Sequence, residues 1–345
     1  MRQVAVVTTG FFDGVHLGHR HVIETVVSSA CKRGEEAIVV TFWPHPRTVL
    51  QQDARDFRIL NTLEEKKALL LGLGVDRVEV LPFTRVFASL TAEQYLSSLQ
   101  KEYGATLIVM GYDNRIGCDR VSAEGICHSQ TVGCADPSHL RWAPPSYVAE
   151  GGHRFGNDIY LQLQIVSEFY NRAATGSGEQ HASSSLCEPS SLCHSERSEE
   201  SISSTKIRKY LMDGDVAMAN AMLGYEYTLT GAVVAGNRMG RTIGFPTANM
   251  QLYEPLKLVP GNGVYAVEAE VLGAKYKGMC NIGVRPTVNG VGRTIETHIL
   301  DFDQDIYGLP LTLRFLKRIR DERKFDSLDA LRAQLLMDQS VIREL

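Results

Sequence analysis

An α/β domain followed by a β domain is the fold class this sequence predicts, and three observations carry it. Apolar, β-branched runs alternate with helix-patterned segments through residues 1–112. From about residue 225 the chain changes to strand-like runs separated by Gly- and Pro-bearing turns, and it closes on an amphipathic stretch. At 345 residues the chain is long for one hydrophobic core and comfortable for two.

The first elements follow in order. VAVVTT (4–9) and AIVVTF (37–42) are continuous apolar runs of the kind buried on both faces of a parallel sheet, and RVEVLPF (77–83) and TLIVMGY (106–112) repeat them. Helix starts lie between. Thr62 with Glu65, and Thr91 with Gln94, have capping-box spacing, while Gly34 and Gly74 fall where helices stop. Strand and helix alternating in this way predict a doubly wound, Rossmann-like parallel sheet with right-handed crossovers. Its ligands belong at the carboxyl ends of the strands.

Residues 113–172 lose periodicity and read as long loops. Residues 173–201 are rich in Ser and low in complexity, so they read as a flexible insertion. SISSTKIRKYLMDGD (201–215) runs from a loop into a short helix, and DVAMANAMLG is a second helix ending at Gly224. YTLTGAVVAG, GVYAVEAEV, KYKGMCNIG, RTIETHIL and LPLTLRFLKRI then predict a small barrel or sandwich. Leu328, Leu331, Leu335 and Ile342 share one helical face, so a terminal helix packed on a barrel is the natural arrangement. The expected division is 1–172, the insertion 173–201, an end segment with linker 202–224, and 225–345.

Composition narrows the partners. A net charge of -4 shows no basic surplus, so no nucleic-acid partner is expected. No run approaches the roughly 18 to 20 apolar residues of a membrane helix. The opening apolar run is too short for a signal-peptide core, so the expectation is a cytoplasmic protein without a membrane partner. Seven cysteines without framework spacing read as free thiols. Cys118, Cys127, His128, Cys134 and His139 contain no compact CxxC pair, which argues against zinc. Oligomeric state has no signature here.

The loop after the first strand, TTGFFDGVHLGHR, is the first chemical candidate. His16 and His19 stand three apart, so on an incipient helix they share a face. Gly10, Gly14 and Gly18 permit tight turns and close approach of a phosphate to main-chain N–H groups. The following helix points its N-terminus at the same spot and favours an anion there. A glycine-rich turn with two surface histidines is the plainer alternative.

The whole string, strand then GxFDxxHxGH then helix, resembles the HxGH nucleotidyltransferase superfamily. With TFWPHPRTVL (41–50) and NTLEEKKALLLGLGVDRVEVLPFT (61–84) it is similar to the FAD synthetase module of bacterial bifunctional riboflavin kinase/FAD synthetases. That resemblance implies ATP held by Gly10, Phe12, Asp13 and Gly18, with His16 and His19 stabilising the charge that passes to pyrophosphate and Mg²⁺ assisting. SSTKIR continues it: Ser203, Ser204, Thr205 and Arg208 would supply hydroxyls, main-chain donors and a guanidinium for phosphate. Asp113 and Asn114 are flavin or nucleotide candidates. In GYDNRIGCDR, Asn114 and Ile116 replace aromatics of the family pattern, which leaves open a kinase whose first domain is degenerate.

GNRMGRTIGFPTANM (236–250) is the second candidate. Gly236, Gly240 and Gly244 surround Arg241, a turn able to wrap phosphates through backbone N–H groups, and Pro246 stiffens the approach to Thr247 and Asn249. GRxxGFPTAN resembles the ATP- and magnesium-binding motif of riboflavin kinases. PGNGVYAVEA (260–269), NIGVRPTVNG (281–290), TIETHILDFDQDIYG (294–308) and IRDERKFDSLDALRAQL (319–335) follow in the family's order. The resemblance makes Glu296 the general base on the ribityl hydroxyl of riboflavin, with Thr247 and Asn249 on Mg²⁺ and ATP. By alternation alone, Glu296 would be an ordinary solvent-facing residue. Arg320 and Arg323 are candidates for the flavin or the FMN phosphate, against a plain solvated charge run. Riboflavin, FMN and ATP are thus the expected ligands. Deleting 173–201 is expected to leave the kinase intact.

Overall fold

Ala5–Thr9 form β1, whose residues are all buried, as an apolar run in the middle of a parallel sheet must be. The computed structural model describes residues 4–50, 57–111, 114–119, 121–122, 151–155, 159–166, 202–236, 239–287 and 290–345. The zinc candidates other than Cys118, and the insertion 173–201, lie outside these residues.

The chain divides into two compact units, Met1–Phe57 with Leu63–Ser203, and Arg58–Thr62 with Ser204–Leu345. In the first unit, helix α1 (Leu17–Arg33) ends on Gly34 in the left-handed conformation, and β2 (Glu36–Trp43) pairs parallel to β1. Helices α2 (Pro46–Leu50) and α3 (Leu63–Gly72) precede β3 (Arg77–Pro82), parallel to β2. Helix α4 (Ala92–Tyr103) opens on the expected Thr91–Gln94 capping box and leads to β4 (Ala105–Gly111), which pairs with the other side of β1. After the short hairpin β5 (Arg115–Ile116) and β6 (Val121–Ser122), two more strands extend the sheet, β7 (Gly151–Phe155) and β8 (Ile159–Val166).

These last two strands correct the reading of 113–172 as loop. IYLQLQIV alternates apolar and polar residues, the signature of a half-buried strand. Strand β8 runs parallel to β4, and β7 returns antiparallel along it. The order β3-β2-β1-β4-β8-β7 places the topological switch at β1 and β4, the position at whose carboxyl ends open α/β sheets bind their ligands.

The second unit begins with α5 (Ser204–Asp213) and α6 (Val216–Leu223). A closed barrel follows, made of β9 (Thr228–Val234), β10 (Ala248–Leu252), β11 (Gly263–Val271), β12 (Ala274–Thr287), β13 (Gly290–Ile299) and β14 (Pro310–Arg320). A single helical turn, α7 (Met239–Thr242), lies between β9 and β10, and α8 (Leu328–Glu344) closes the chain. Strand β10 was not expected. ANMQL has weak alternation, and its place between β9 and β13 comes from nonlocal pairing that no local pattern announces. The terminal helix also differs from its apolar reading: Leu328 is 57% exposed, while Asp338 is buried beside Ile342. The segment Arg58–Thr62 joins this unit through hydrogen bonds of the Ile59 backbone to Leu256 and Leu258.

Candidate functional sites

In the first unit the loop after β1 is strained and enclosed. Phe12 and Val15 both hold positive φ, at 46° and 36°, and both are buried. Gly14 adopts φ 87°, a conformation that favours glycine. A Cβ on Gly10 would come within 3.1 Å of the Phe12 ring, and one on Gly18 within 3.3 Å of the His16 ring. The helix begins at Leu17 because His16 is the N-cap: its Nδ1 accepts from the His19 N–H at 3.4 Å. The two imidazoles stack, with ring centroids 3.6 Å apart, and Phe12 meets His19 edge-on at 5.3 Å. Burial holds the His19 pKa well below its ordinary value, and His16 and Lys66 push it further down. The first turn of α1 carries no acidic residue and the last carries Lys32 and Arg33, a distribution that leaves its N-terminus receptive to anions.

Lys66, on α3, was not singled out from the sequence. It is 4% exposed, and its Nζ donates to Phe11 O at 3.0 Å and Thr41 Oγ1 at 3.1 Å. Its signal was a lysine within the apolar spacing Leu63, Lys66, Leu70. Asn114 closes the switch point from the β4 side, donating from Nδ2 to Thr9 O at 2.9 Å. Asp13 is buried within the same loop. Asp113 lies outside the described residues.

Ser204 and Thr205 head α5 in the second unit. Arg208, one turn on, donates from Nε to Arg58 O at 2.8 Å.

The barrel holds the second site. Strand register sets Asn249 opposite Glu296, and Glu296 opposite Asn281 on the other side. Directly opposed residues point to the same face, so these three side chains form a polar row across three strands. All three line one cavity of about 290 Å³, together with Thr247, Arg320 and Arg323. Glu296 is 9% exposed, which replaces the expectation of a solvent-facing strand residue. Asn281 is a residue the sequence reading missed; only the register of β12 against β13 identifies it.

A second cavity of about 360 Å³ is lined by Arg241, Thr247, Thr297, Phe302 and Tyr307. Thr247 therefore opens on both. The backbone leading into it is fixed at two points. The Phe245 N–H donates to Gly240 O at 2.8 Å, and His298 Nδ1 lies 2.8 Å from Pro246 O. A carbonyl can only accept, so Nδ1 carries the His298 proton. Burial lowers the pKa of this imidazole, against the opposing effect of the Pro246 bond. The glycines are required by contact. A Cβ on Gly236 would fall 2.1 Å from Asn249 Nδ2, and one on Gly240 2.1 Å from Phe245 O.

The donor set at Thr247 and Asn249 is a hydroxyl and a carboxamide oxygen, hard neutral ligands of the kind Mg²⁺ accepts when phosphates supply the charge. Among the described residues no three His, Cys, Asp or Glu side chains gather as a metal site.

Comparison with known proteins follows the same division. The family model of FAD synthetase matches residues 1–133, and that of riboflavin kinase matches 223–345. The chain is 33% identical over 343 residues to the bifunctional riboflavin kinase/FMN adenylyltransferase of Bacillus subtilis, covering 98% of this chain and 92% of the relative. It is 35% identical over 345 residues to the protein of the same description from Escherichia coli K12, covering 99% and 93%. A crystal structure titled macrolide-efflux protein, from Streptococcus pneumoniae, superposes with a TM-score of 0.80 at 31% identity, covering 100% of this chain and 95% of that one. Efflux belongs to that title alone. Among the described residues of this chain no helix is long and apolar enough to cross a membrane.

Proposed function

We propose residue roles for a chain that belongs to the bifunctional riboflavin kinase/FMN adenylyltransferase family. It is a transferase with two activities, phosphorylation of riboflavin to FMN and adenylylation of FMN to FAD. The kinase-only alternative gives way, because the FAD synthetase match covers residues 1–133 and the relatives, matched over 92% and 93% of their length, are described as bifunctional.

In the barrel, the polar row and the two cavities that share Thr247 carry the assignment. ATP occupies the Arg241 cavity, with its γ-phosphate at Thr247, and riboflavin occupies the Glu296 cavity. Glu296 takes the proton from the terminal ribityl hydroxyl as that oxygen bonds to the γ-phosphorus. The bond from the γ-phosphorus to the β,γ-bridging oxygen breaks, and ADP leaves. Asn249 and Asn281 flank Glu296 and hold the reacting hydroxyl in line. Thr247 and Asn249 would hold Mg²⁺ with the ATP phosphates, where it supplies neutralisation of phosphate charge. The tautomer of His298 keeps Pro246, and with it Thr247, in place.

In the first unit, the α1 N-terminus with His16 and His19 receives the ATP polyphosphate, and Gly10, Phe12, Asp13 and Gly18 shape its bed. A phosphate oxygen of FMN attacks the α-phosphorus, the α,β-bridging P–O bond breaks, and pyrophosphate leaves. Asp113 and Asn114 bear on the flavin or adenine. Arg320 and Arg323 contact the flavin or the new phosphate in the kinase. The chain acts with ATP, riboflavin and FMN as its ligands, in the cytoplasm.

The test is a time course with riboflavin, ATP and Mg²⁺, resolved by chromatography. FMN should rise before FAD. Glu296→Gln should lower FMN formation roughly 10²- to 10⁴-fold while FAD still forms from supplied FMN, and His16→Ala should do the reverse. Equal losses of both activities in either variant would falsify the assignment of separate sites.

A further inference from the structure

The terminal helix places a carboxylate inside its own apolar seam. Leu328, Leu331 and Leu335 are spaced for one face, and the next position on that face is Asp338, followed by Ile342. Asp338 is 2% exposed. A carboxylate buried at such a position is costly unless it is paired and hydrogen-bonded. Here Oδ2 accepts from Arg320 Nε at 2.9 Å and Oδ1 from Gln334 Nε2 at 2.7 Å. The Gln334 side-chain oxygen in turn accepts from Arg323 Nη2. Both arginines line the Glu296 cavity, and their guanidinium groups lie over the Phe325 ring at 5.6 and 4.7 Å. One buried acid on α8 thus ties down both cations of the cavity wall.

We infer that Asp338 is a positioning residue for riboflavin phosphorylation, acting through Arg320 directly and through Gln334 on Arg323. The inference rests on the reading of the Glu296 cavity as the riboflavin site. Asp338 itself does not line the cavity. Its part is to fix the Arg320 fork before the flavin arrives, so that binding does not have to order it. A purely structural staple between helix and barrel is the competing role. The two differ in what they predict for a variant that stays folded.

The experiment uses the full chain, with FAD formation from supplied FMN as an internal control. Asp338→Asn should raise the KM for riboflavin roughly tenfold, the order expected for one charge-assisted hydrogen bond, with kcat changed by less than about threefold. The KM for ATP and the adenylyltransferase rate should not move. Asp338→Leu continues the apolar stripe but leaves Arg320 without its partner, so the melting temperature should fall while kcat stays within about threefold and the KM for riboflavin rises as in Asp338→Asn; the retained kcat shows that the barrel is folded. In an Arg320→Ala background, Asp338→Asn should add no more than about twofold, because the group it positions is gone. An unchanged KM for riboflavin in Asp338→Leu, with Arg320→Ala impaired, overturns the positioning role and leaves the cavity reading standing. If Arg320→Ala is itself silent in riboflavin KM and kcat, the cavity reading falls and the inference falls with it.

Discussion

Lys66 puts an ammonium where its helix face asks for an apolar side chain. Burial lowers its pKa from 10.5 to about 8, with Asp13 opposing. The sign of the resulting pH dependence follows from linkage. The unfolded chain binds this proton more tightly than the folded one, so the group subtracts stability at every pH below about 8. The penalty fades as pH rises from about 8 toward 10.5, at about 1.4 kcal/mol per pH unit and about 3 kcal/mol in all. Lys66→Met removes the titrating group. In urea unfolding of the first unit, the wild type should therefore gain on the variant between pH 8 and 10, and a gap independent of pH would contradict the assignment. Because Lys66 also holds Phe11 O and Thr41 Oγ1 under the strained loop, the variant should lose FAD formation while keeping FMN formation. The same residue shows what sequence can and cannot say. His16, His19 and the glycines were legible because a loop after a buried strand has few uses for that pattern. Lys66 was not, because a lysine at a helical core spacing reads as a surface residue until its burial is known.

At the scale of elements, register does most of the chemical positioning. Asn249, Glu296 and Asn281 come from three strands far apart in sequence, and only antiparallel pairing brings them into one row. Four of the five parallel strands of the first sheet were legible from short β-branched apolar runs, and the Thr91 box and Gly34 stop because each is a local motif. Strand β10 was hidden, since its Asn249 and Gln251 are poor strand formers and its partners are β9 and β13. That hidden strand makes Gly236 testable. A methyl group there would occupy the space of the Asn249 carboxamide, which must then leave its place in the cavity wall. Gly236→Ala should raise the KM for MgATP in the kinase roughly tenfold, the loss of one good polar contact, and leave FAD formation from FMN unchanged. Wild-type kinase kinetics in this variant would show that Asn249 has no part in holding the nucleotide.

At the scale of the whole molecule, the chain does not divide at a single cut. Arg58–Thr62 belongs with the barrel unit although residues on both sides of it belong to the first. The tie is polar: backbone bonds of Ile59 to Leu256 and Leu258, Arg208 Nε to Arg58 O, and the Asn61 carboxamide 3.1 Å from the Tyr225 hydroxyl. The last of these spans 164 residues, and a bond of that separation leaves no trace in local composition or period. A segment held in this way should contribute to the barrel's stability, and a double-mutant cycle measures it. Asn61→Ala and Tyr225→Phe should each destabilise the barrel by about 1 kcal/mol, and the pair together by about as much as either alone. The readout is the thermal loss of kinase activity, because this tie lies within the barrel unit. Additive losses would mean that the two groups act independently. A non-additive pair would establish that part of the barrel's stability is encoded some 160 residues upstream of its first strands, so that the kinase folds fully only with that stretch of the first half present.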